Sequence, residues 1–281
     1  MNLKDNVIVI PINDAEAVLI AKLAAAIGLP IIASWQEHGA TLDKEKGLLK
    51  KIQAGKYQKI FIVEMPGIKT ETKLRQAGRE LVIIDHHQYG TLDRAHDVKR
   101  KIKPSSLEQF LKLFNLTDKK LSALGFSPRL VRGIGILDRG FIEALGRAGY
   151  STVEIKKVFS FRKKLNIIFV DPAKEKIYQK KARLAWQKRK EWNGFFIVTI
   201  NSKFGLRAYL SELVWQRLKK SPPIILVENG RNAISVQETP IAEAFLKKFG
   251  GFVFGEGDNW GYKNQPGRKK VTLADVKKFL S

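Results

Sequence analysis

The N-terminal half of the chain alternates short, continuous apolar runs with segments that have the spacing of helices. The apolar runs are predicted strands at 7–11, 31–33, 59–63 and 81–84, and the predicted helices between them include 14–27 and 48–53. Because these runs are apolar throughout and not at alternate positions, they indicate a parallel sheet covered on both faces. We therefore predict an α/β domain over residues 1–150.

The C-terminal half repeats this pattern after a mainly helical stretch. Predicted helices lie at 106–114, 119–124, 128–137, 152–159 and, as one long helix, at 171–192. A second α/β unit follows, with strands at 195–200, 224–227 and 232–236, helices at 206–218 and 241–249, and a glycine-rich stretch at 250–261. The predicted organisation is a first domain at 1–150, a helical linker at 151–192 whose long helix joins the domains, and a smaller domain at 193–281.

The charge of the chain is strongly unbalanced. Among 281 residues there are 51 Lys and Arg against 27 Asp and Glu, a net charge of +24. Such an excess favours a polyanionic partner, whether nucleic acid, nucleotide, polyphosphate or a membrane surface, over a basic surface that serves only solubility. The apolar region at 17–35 is interrupted by Lys22 and Gly28-Leu29-Pro30 and no signal peptide is evident, so we expect a cytoplasmic protein that does not enter the membrane.

The absence of cysteine restricts the possible metal chemistry. Disulfides and thiolate ligands are both excluded, so any metal must be held by Asp, Glu and the four histidines. Oxygen and imidazole ligands of this kind suit Mg, Mn or Zn.

Acids and histidines follow the ends of three predicted strands, and one further acid follows a later apolar run. They are Asp14 and Glu16, Glu64, Asp85-His86-His87, and Asp138. Ligands of open parallel sheets bind at the carboxyl ends of the strands, so these side chains are expected to converge there. Converging carboxylates repel one another unless a cation or a proton compensates them. The set therefore predicts a metal site.

This set of residues resembles the DHH phosphoesterase superfamily, which includes RecJ-type exonucleases, oligoribonucleases, cyclic-dinucleotide phosphodiesterases and manganese pyrophosphatases. The resemblance extends over nearly the whole chain, because 195–265 resembles the smaller domain that often follows the catalytic one. It implies one or two Mn or Mg ions as cofactor. The implied metal ligands are Asp14, Glu16, Glu64, His86 and Asp138, with Glu64 bridging two metals.

The resemblance also implies roles for residues that hold no metal. Asp85 and His87 would be catalytic, Asp85 beside the metals and His87 near the phosphate. Candidates for substrate binding are the glycines of the C-terminal loop and three basic residues, namely Gly250, Gly251, Gly255, Gly257, Arg139, Lys263 and Arg268.

The chain departs from the family pattern at several positions. Ile10 stands where the first motif usually has a histidine, and Glu16 and Glu64 stand where aspartates are usual. The glycine loop lacks its usual closing histidine.

The functional expectation is a metal-dependent phosphoesterase that hydrolyses phosphodiester bonds in short oligonucleotides or small nucleotides. The expected partner is a phosphate-containing substrate, either single-stranded nucleic acid or a short oligonucleotide. The alternative is a catalytically impaired relative that binds nucleic acid or nucleotide, favoured by Ile10 and the missing loop histidine. A pyrophosphatase or polyphosphatase is a third possibility.

Overall fold

The computed structural model describes residues 3–89 and 92–281, which cluster into two compact units. Unit 1 contains the described residues up to Asp138 together with Val153–Phe169, and unit 2 contains Arg139–Thr152 and Val170–Ser281. The domain boundaries predicted at 150 and 192 stay predictions. Among the described residues, no helix combines the length and apolarity needed to cross a membrane.

Unit 1 is built on a four-stranded parallel sheet. Its strands are β1 (Asn6–Pro11), β2 (Ile31–Ser34), β3 (Lys59–Val63) and β4 (Glu80–Ile84), in the order β2-β1-β3-β4. Ile8 of β1 lies opposite Ile31 of β2 and Phe61 of β3. The predicted parallel sheet is therefore confirmed, and its strands begin and end within one residue of the apolar runs.

Helices connect these strands and cover the sheet. The connecting helices are α1 (Ala15–Ala26), α2 (Leu48–Ala54) and α3 (Ile68–Gln76). On one face, the alternate strand residues Val7, Val9, Ile60 and Ile62 pack with residues of α2 and α3. On the other face, the ring of Phe61 lies 5.0 Å from that of Phe114. Burial on both faces explains why the strands are continuously apolar.

The rest of unit 1 carries the elements that complete the candidate site. They are β5 (Gln88–Tyr89), β6 (Leu92–Asp93), α4 (Ser106–Leu113), α5 (Asp118–Ala123), the first part of α6 (Pro128–Arg147) and most of α7 (Thr152–Asn166). Helix α4 begins with a capping box in which Ser105 accepts from the Glu108 backbone and Glu108 accepts from the Ser105 backbone. Helix α6 is interrupted at Phe141, whose φ of 55° is not helical.

Gly135 allows α6 to approach the start of α4. A Cβ at this position would lie 2.7 Å from the Ser105 hydroxyl and 3.3 Å from Cγ of Glu108. Both atoms belong to the capping box, so neither side chain can move aside without losing the cap. Close packing of α6 on this end of α4 therefore requires glycine.

We expect Gly135→Ala to destabilise the protein by about 1–3 kcal/mol, because overpacking outweighs the gain in helix propensity. The matched control is Gly146→Ala in the same helix, where a Cβ meets nothing within 4 Å and a small stabilisation is expected. Urea unfolding of both variants measures the difference. A Gly135→Ala protein as stable as the control would show that the contact is not tight.

Unit 2 contains a six-stranded mixed sheet in the order β11-β12-β10-β9-β8-β7. Its strands are β7 (Lys190–Trp192), β8 (Phe195–Ile200), β9 (Ile224–Glu228), β10 (Ala233–Gln237), β11 (Phe252–Phe254) and β12 (Asn259–Lys263). Its helices include α8 (Pro172–Gln187), α9 (Arg207–Leu218), α10 (Ala242–Phe249) and α11 (Leu273–Leu280). Of these strands, β8 and β9 pair in parallel and the other neighbours are antiparallel.

The helix predicted at 171–192 is shorter than expected. Helix α8 ends at Gln187, and Lys190–Trp192 forms a strand that pairs antiparallel with Phe195–Ile197. The turn between them is Asn193-Gly194, and both residues have positive φ, 46° and 77°. An Asn-Gly pair is the usual sequence of a two-residue hairpin turn, so this dipeptide was the missed signal.

Candidate metal centre

The candidate centre lies at the carboxyl edge of the parallel sheet in unit 1. Since β1 is flanked by β2 and β3, the crevice at the ends of β1 and β3 is the switch point at which open α/β sheets bind ligands. Asp14 and Glu16 follow β1, Glu64 follows β3, and Asp85 follows β4. The topology thus brings three separate parts of the sequence to one edge.

Glu16 is a buried acid in the first turn of α1, with 2% of its surface exposed. Its Oε1 accepts a hydrogen bond from the backbone N–H of Leu107 at 3.0 Å. That donor lies in the first turn of α4, where backbone N–H groups lack helical partners. Helix α4 therefore fixes one oxygen of Glu16 and leaves Oε2 for another interaction.

Glu64 has a left-handed backbone conformation, with φ of 48°. This conformation is unfavourable for a residue with a side chain and is retained where the surroundings enforce it. The Glu64 N–H donates to the carbonyl of Ile84 at 3.1 Å, which continues the β3–β4 pairing past the strand end. The turn holds the Glu64 carboxylate at the sheet edge.

His86 lies at the middle of a cluster of carboxylates. Its Nε2 is 3.0 Å from Asp138 Oδ2, 3.3 Å from Glu64 Oε1 and 3.9 Å from Glu16 Oε2. Asp138 reaches the cluster from helix α6. One ligand atom from each of these four residues lies within 4.8 Å of the others, and Glu64, His86 and His87 form a second, overlapping group.

Several buried atoms of this cluster make no hydrogen bond of good geometry, although His86 Nε2 lies close to two of the carboxylates. They are Oε2 of Glu16, Oε1 of Glu64 and Nε2 of His86. Buried polar atoms are normally satisfied, so three such atoms within a few ångströms need a common partner. The donor set consists of the two carboxylate oxygens, the imidazole nitrogen and the Asp138 carboxylate. This combination suits a divalent cation. The residues present therefore fit a metal ion.

The pKa values of Asp14, Glu16 and His86 are raised, because the cluster holds more negative than positive charge. Burial and the neighbouring Glu64 and Asp138 raise the pKa of Asp14 to about 8, and burial with Asp138 raises that of Glu16 well above its ordinary value. Burial lowers the pKa of His86, but Asp138 and Glu64 more than offset it and bring the pKa to about 10. Without metal, a protonated His86 is therefore the compensating cation.

Asp14 is the predicted metal ligand that the structure does not bring into either group. Its carboxylate accepts from the Ala17 backbone at 2.7 Å and caps α1. Ile10, which stands where the family has a histidine, is completely buried in the core. The four-residue group therefore does not include Asp14, the first acid of the motif that the sequence resembles.

Asp85 is fully buried and organises the loop after β4. Its Oδ1 accepts from the backbone N–H of His87 at 3.0 Å and lies 3.2 Å from His87 Nδ1 and 3.3 Å from the Tyr89 hydroxyl. Its carbonyl accepts from the Gln109 amide at 3.1 Å. Burial and Asp85 raise the pKa of Tyr89, so this hydroxyl remains a donor. Asp85 thus acts on His87 and not on the four-residue group.

A buried ion pair behind this loop was not predicted from the sequence. Arg94 pairs with Glu71, and its Nη1 lies 3.9 Å from Asp85 Oδ2. Arg94 is 7% exposed and Glu71 is 5% exposed. Neither residue could be recognised in a sequence with so many charged side chains. Tyr89 and Gln109 were missed for the same reason, since nothing in their local sequence marks them.

Among the residues of unit 2 predicted to bind substrate, Arg139 and the glycines have structural roles. Arg139 and Arg147 both pair with Glu256. Gly250, Gly251, Gly255 and Gly257 all have positive φ, and a Cβ on Gly251 would lie 2.3 Å from the carbonyl of Gly261. These glycines therefore shape the turns around β11 and β12. Lys263 and Arg268 are exposed at and beyond the end of β12. A role for any of them toward substrate stays a prediction.

Comparison with solved structures identifies the architecture. The DHH domain of a member of the S1p family of ribosomal proteins aligns with 98% of this chain and 86% of its own, with a TM-score of 0.54 at 14% identity. The chain has the DHH fold. In this chain the tripeptide D-H-H is Asp85-His86-His87, at the end of β4.

Two further solved structures align over most of the chain with lower TM-scores. An exopolyphosphatase-related protein from Bacteroides fragilis covers 98% of this chain and 90% of its own, at 13% identity and a TM-score of 0.47. The exonuclease RecJ bound to manganese covers 92% and 86%, at 14% identity and a TM-score of 0.39. No family model matches the sequence, and no curated protein matches it at a significant level.

Proposed function

We propose that the protein is a divalent-metal-dependent phosphoesterase that hydrolyses phosphodiester bonds in short oligonucleotides or small nucleotides. The observation that carries this proposal is the convergence of Glu16, Glu64, His86 and Asp138 on one point, with three buried atoms that make no hydrogen bond of good geometry. The DHH fold supports it, because it places the cluster at the sheet edge where ligands bind.

The donor set favours Mn or Mg. Three carboxylates and one imidazole supply hard oxygen ligands and one nitrogen, without sulfur. A bound divalent ion lowers the pKa of a water and polarises a phosphoryl oxygen. Glu64 and His86 belong to both overlapping groups, and of the two Glu64 has the pair of oxygens that could hold two ions.

His87 is the candidate for proton transfer to the leaving oxygen. Its Nδ1 lies against Asp85, which leaves Nε2 for a reacting group, and 41% of its side chain is exposed. Burial lowers its pKa, but Asp85 and Glu64 raise it, and the net shift is upward. With Nδ1 held by Asp85, a protonated His87 can donate from Nε2 as a general acid. Asp85 fixes the orientation of the ring.

The charge of the chain supports this substrate class. A net charge of +24 attracts negatively charged molecules that are rich in phosphate. Phosphodiesters carry this negative charge and contain a bond that this metal chemistry can cleave. Short oligonucleotides and small nucleotides are preferred over pyrophosphate because the basic residues are spread along the whole chain.

The test is hydrolysis by metal-stripped protein to which Mn or Mg is returned, with a labelled dinucleotide, a short single-stranded oligonucleotide and pyrophosphate as substrates. Asp138→Asn should lower kcat for the preferred substrate at least about 100-fold, because a ligand loses its charge while its shape is kept. Asp118→Asn is the control, since this exposed acid of unit 1 pairs with Arg132.

The outcomes separate the possible functions. Metal-dependent cleavage of the dinucleotide or oligonucleotide that is lost in Asp138→Asn supports the proposal. Cleavage of pyrophosphate alone would replace the substrate class. Tight nucleotide binding without turnover under any metal would favour the catalytically impaired alternative.

A further inference from the structure

Arg94 is a buried residue that contacts the loop Asp85-His86-His87 in two ways. Its backbone N–H donates to the carbonyl of His87 at 3.1 Å, beside the short antiparallel pair of β5 and β6. Its Nη1 lies 3.9 Å from Oδ2 of Asp85, and 8% of its side chain is exposed. One residue from outside the loop therefore contacts both its first and its last residue.

Glu71 fixes the Arg94 side chain from its other end. Oε1 of Glu71 accepts from Nη2 of Arg94 and also from the backbone N–H of Gly67, the latter at 3.1 Å. Gly67 is the N-cap of α3 and lies three residues after Glu64. The planar guanidinium carries its donors in a fixed fork, so one end can bind Glu71 while the other faces Asp85. Arg94 therefore connects the turn that carries Glu64 with the loop that carries His87.

The two oxygens of the buried Asp85 carboxylate have different surroundings. Oδ1 lies within 3.3 Å of the N–H and Nδ1 of His87 and of the Tyr89 hydroxyl. Over the residues that the structure describes, Oδ2 of Asp85 and Nη1 of Arg94 make no hydrogen bond of good geometry, and they face each other. A buried carboxylate is costly without a compensating cation. The guanidinium of Arg94 supplies this charge at the oxygen that His87 does not use.

We propose that Arg94 is a positioning residue for His87 and acts on it through Asp85. The inference rests on the proposed function, in which His87 is the candidate for proton transfer. The hydrogen bond at one nitrogen of an imidazole determines which nitrogen carries the proton and how the ring is oriented. With Asp85 held at Nδ1 by Arg94, the ring has one orientation and Nε2 is left for the leaving oxygen. An ion pair that only stabilised the fold would have no effect on His87 in the folded protein.

The first test is nitrogen NMR of the metal-stripped protein with isotopically labelled histidine, at a pH at which the His87 ring is neutral. The chain has four histidines, so single substitutions assign the signals. In the unmodified protein we expect Nδ1 of His87 to carry the proton. In Arg94→Lys, whose ammonium can bind Glu71 but cannot span both acids, we expect a mixture of tautomers. Arg132→Lys is the matched control, since it changes an exposed ion pair of unit 1. This measurement needs no turnover, so failure of the proposed hydrolysis does not affect it.

The second test compares turnover with and without His87. Arg94→Lys should lower kcat for the preferred substrate about 10–100-fold with little change in KM, because a misoriented acid loses part of its contribution. In a His87→Gln background the same substitution should lower kcat little further, since the residue through which it acts is already missing. Mn²⁺ affinity should stay that of the unmodified protein, because the side-chain partners of Arg94 do not belong to the four-residue group.

The double variant Arg94→Met, Glu71→Met separates a positioning role from a stabilising one. It removes the negative charge of Glu71 together with the guanidinium, so it should be more stable than Arg94→Met alone. A purely structural role predicts that the tautomer of His87 and kcat recover together with stability. The proposal predicts that both stay altered, because no cation faces Asp85. Unchanged nitrogen shifts of His87 in Arg94→Lys, or an equal loss of kcat with and without His87, would overturn it.

Discussion

Calorimetric titration of the metal-stripped protein with Mn²⁺ is expected to show binding that His86→Ala weakens by at least about 100-fold. His86 is the residue whose Nε2 lies within 4 Å of all three carboxylates of the group. Outer-shell partners of metal ligands alone contribute 10–100-fold to affinity, so loss of a ligand should exceed that range. The substitution also removes the nitrogen that completes the donor set.

The control for this experiment is His38→Ala. His38 is exposed and belongs to neither group of candidate ligands, so its loss should leave Mn²⁺ binding unchanged. Thermal unfolding gives a second readout, because an ion that binds the folded state raises its melting temperature. This increase should be large for the unmodified protein and for His38→Ala, and small for His86→Ala. Unchanged Mn²⁺ affinity in His86→Ala would remove His86 from the site.

The parts of the fold that the sequence predicts best are those with a strong local signal. The strand Lys59–Val63 is predicted to the residue, because its four fully buried residues, 60–63, form an uninterrupted apolar run. Convergence of Glu16, Glu64 and His86 could be predicted because strand ends of a parallel sheet share one edge, whereas Asp138 comes from helix α6. In both cases the information lies within a few adjacent residues.

Other features depend on contacts between distant residues and leave no local signal. The helix at 273–280 is a different case, because its capping box of Thr272 and Asp275 is a local signal that was missed. The sequence predicts that Asp14 lies near the site. It does not show that Asp14 is outside the ligand group, because its side chain turns toward the Ala17 backbone only in the folded structure. Arg94 is the clearest case, since among 51 basic residues nothing marks the one that is buried.

The buried Arg94 is expected to give the largest change in stability. Arg94→Met should destabilise the protein by about 3–5 kcal/mol, because it removes the buried cation beside Glu71 and Asp85 and leaves Glu71 only the half-exposed Arg75, 3.6 Å away. The double variant with Glu71→Met should recover part of this loss, since an apolar pair of similar size replaces one of the two uncompensated charges. Recovery stays partial because Asp85 remains.

Arg132→Met is the matched control, because it removes the same kind of side chain from an ion pair in unit 1. The Arg132 Nη2 lies 2.6 Å from Asp118, but 46% and 63% of these two side chains are exposed. An exposed pair of this kind contributes at most about 1 kcal/mol. Denaturant unfolding should therefore separate the two Arg→Met variants by at least about 2 kcal/mol. Similar losses of unfolding free energy in the two variants would show that water reaches Arg94. Asp85 would then orient His87 without the support of a buried cation.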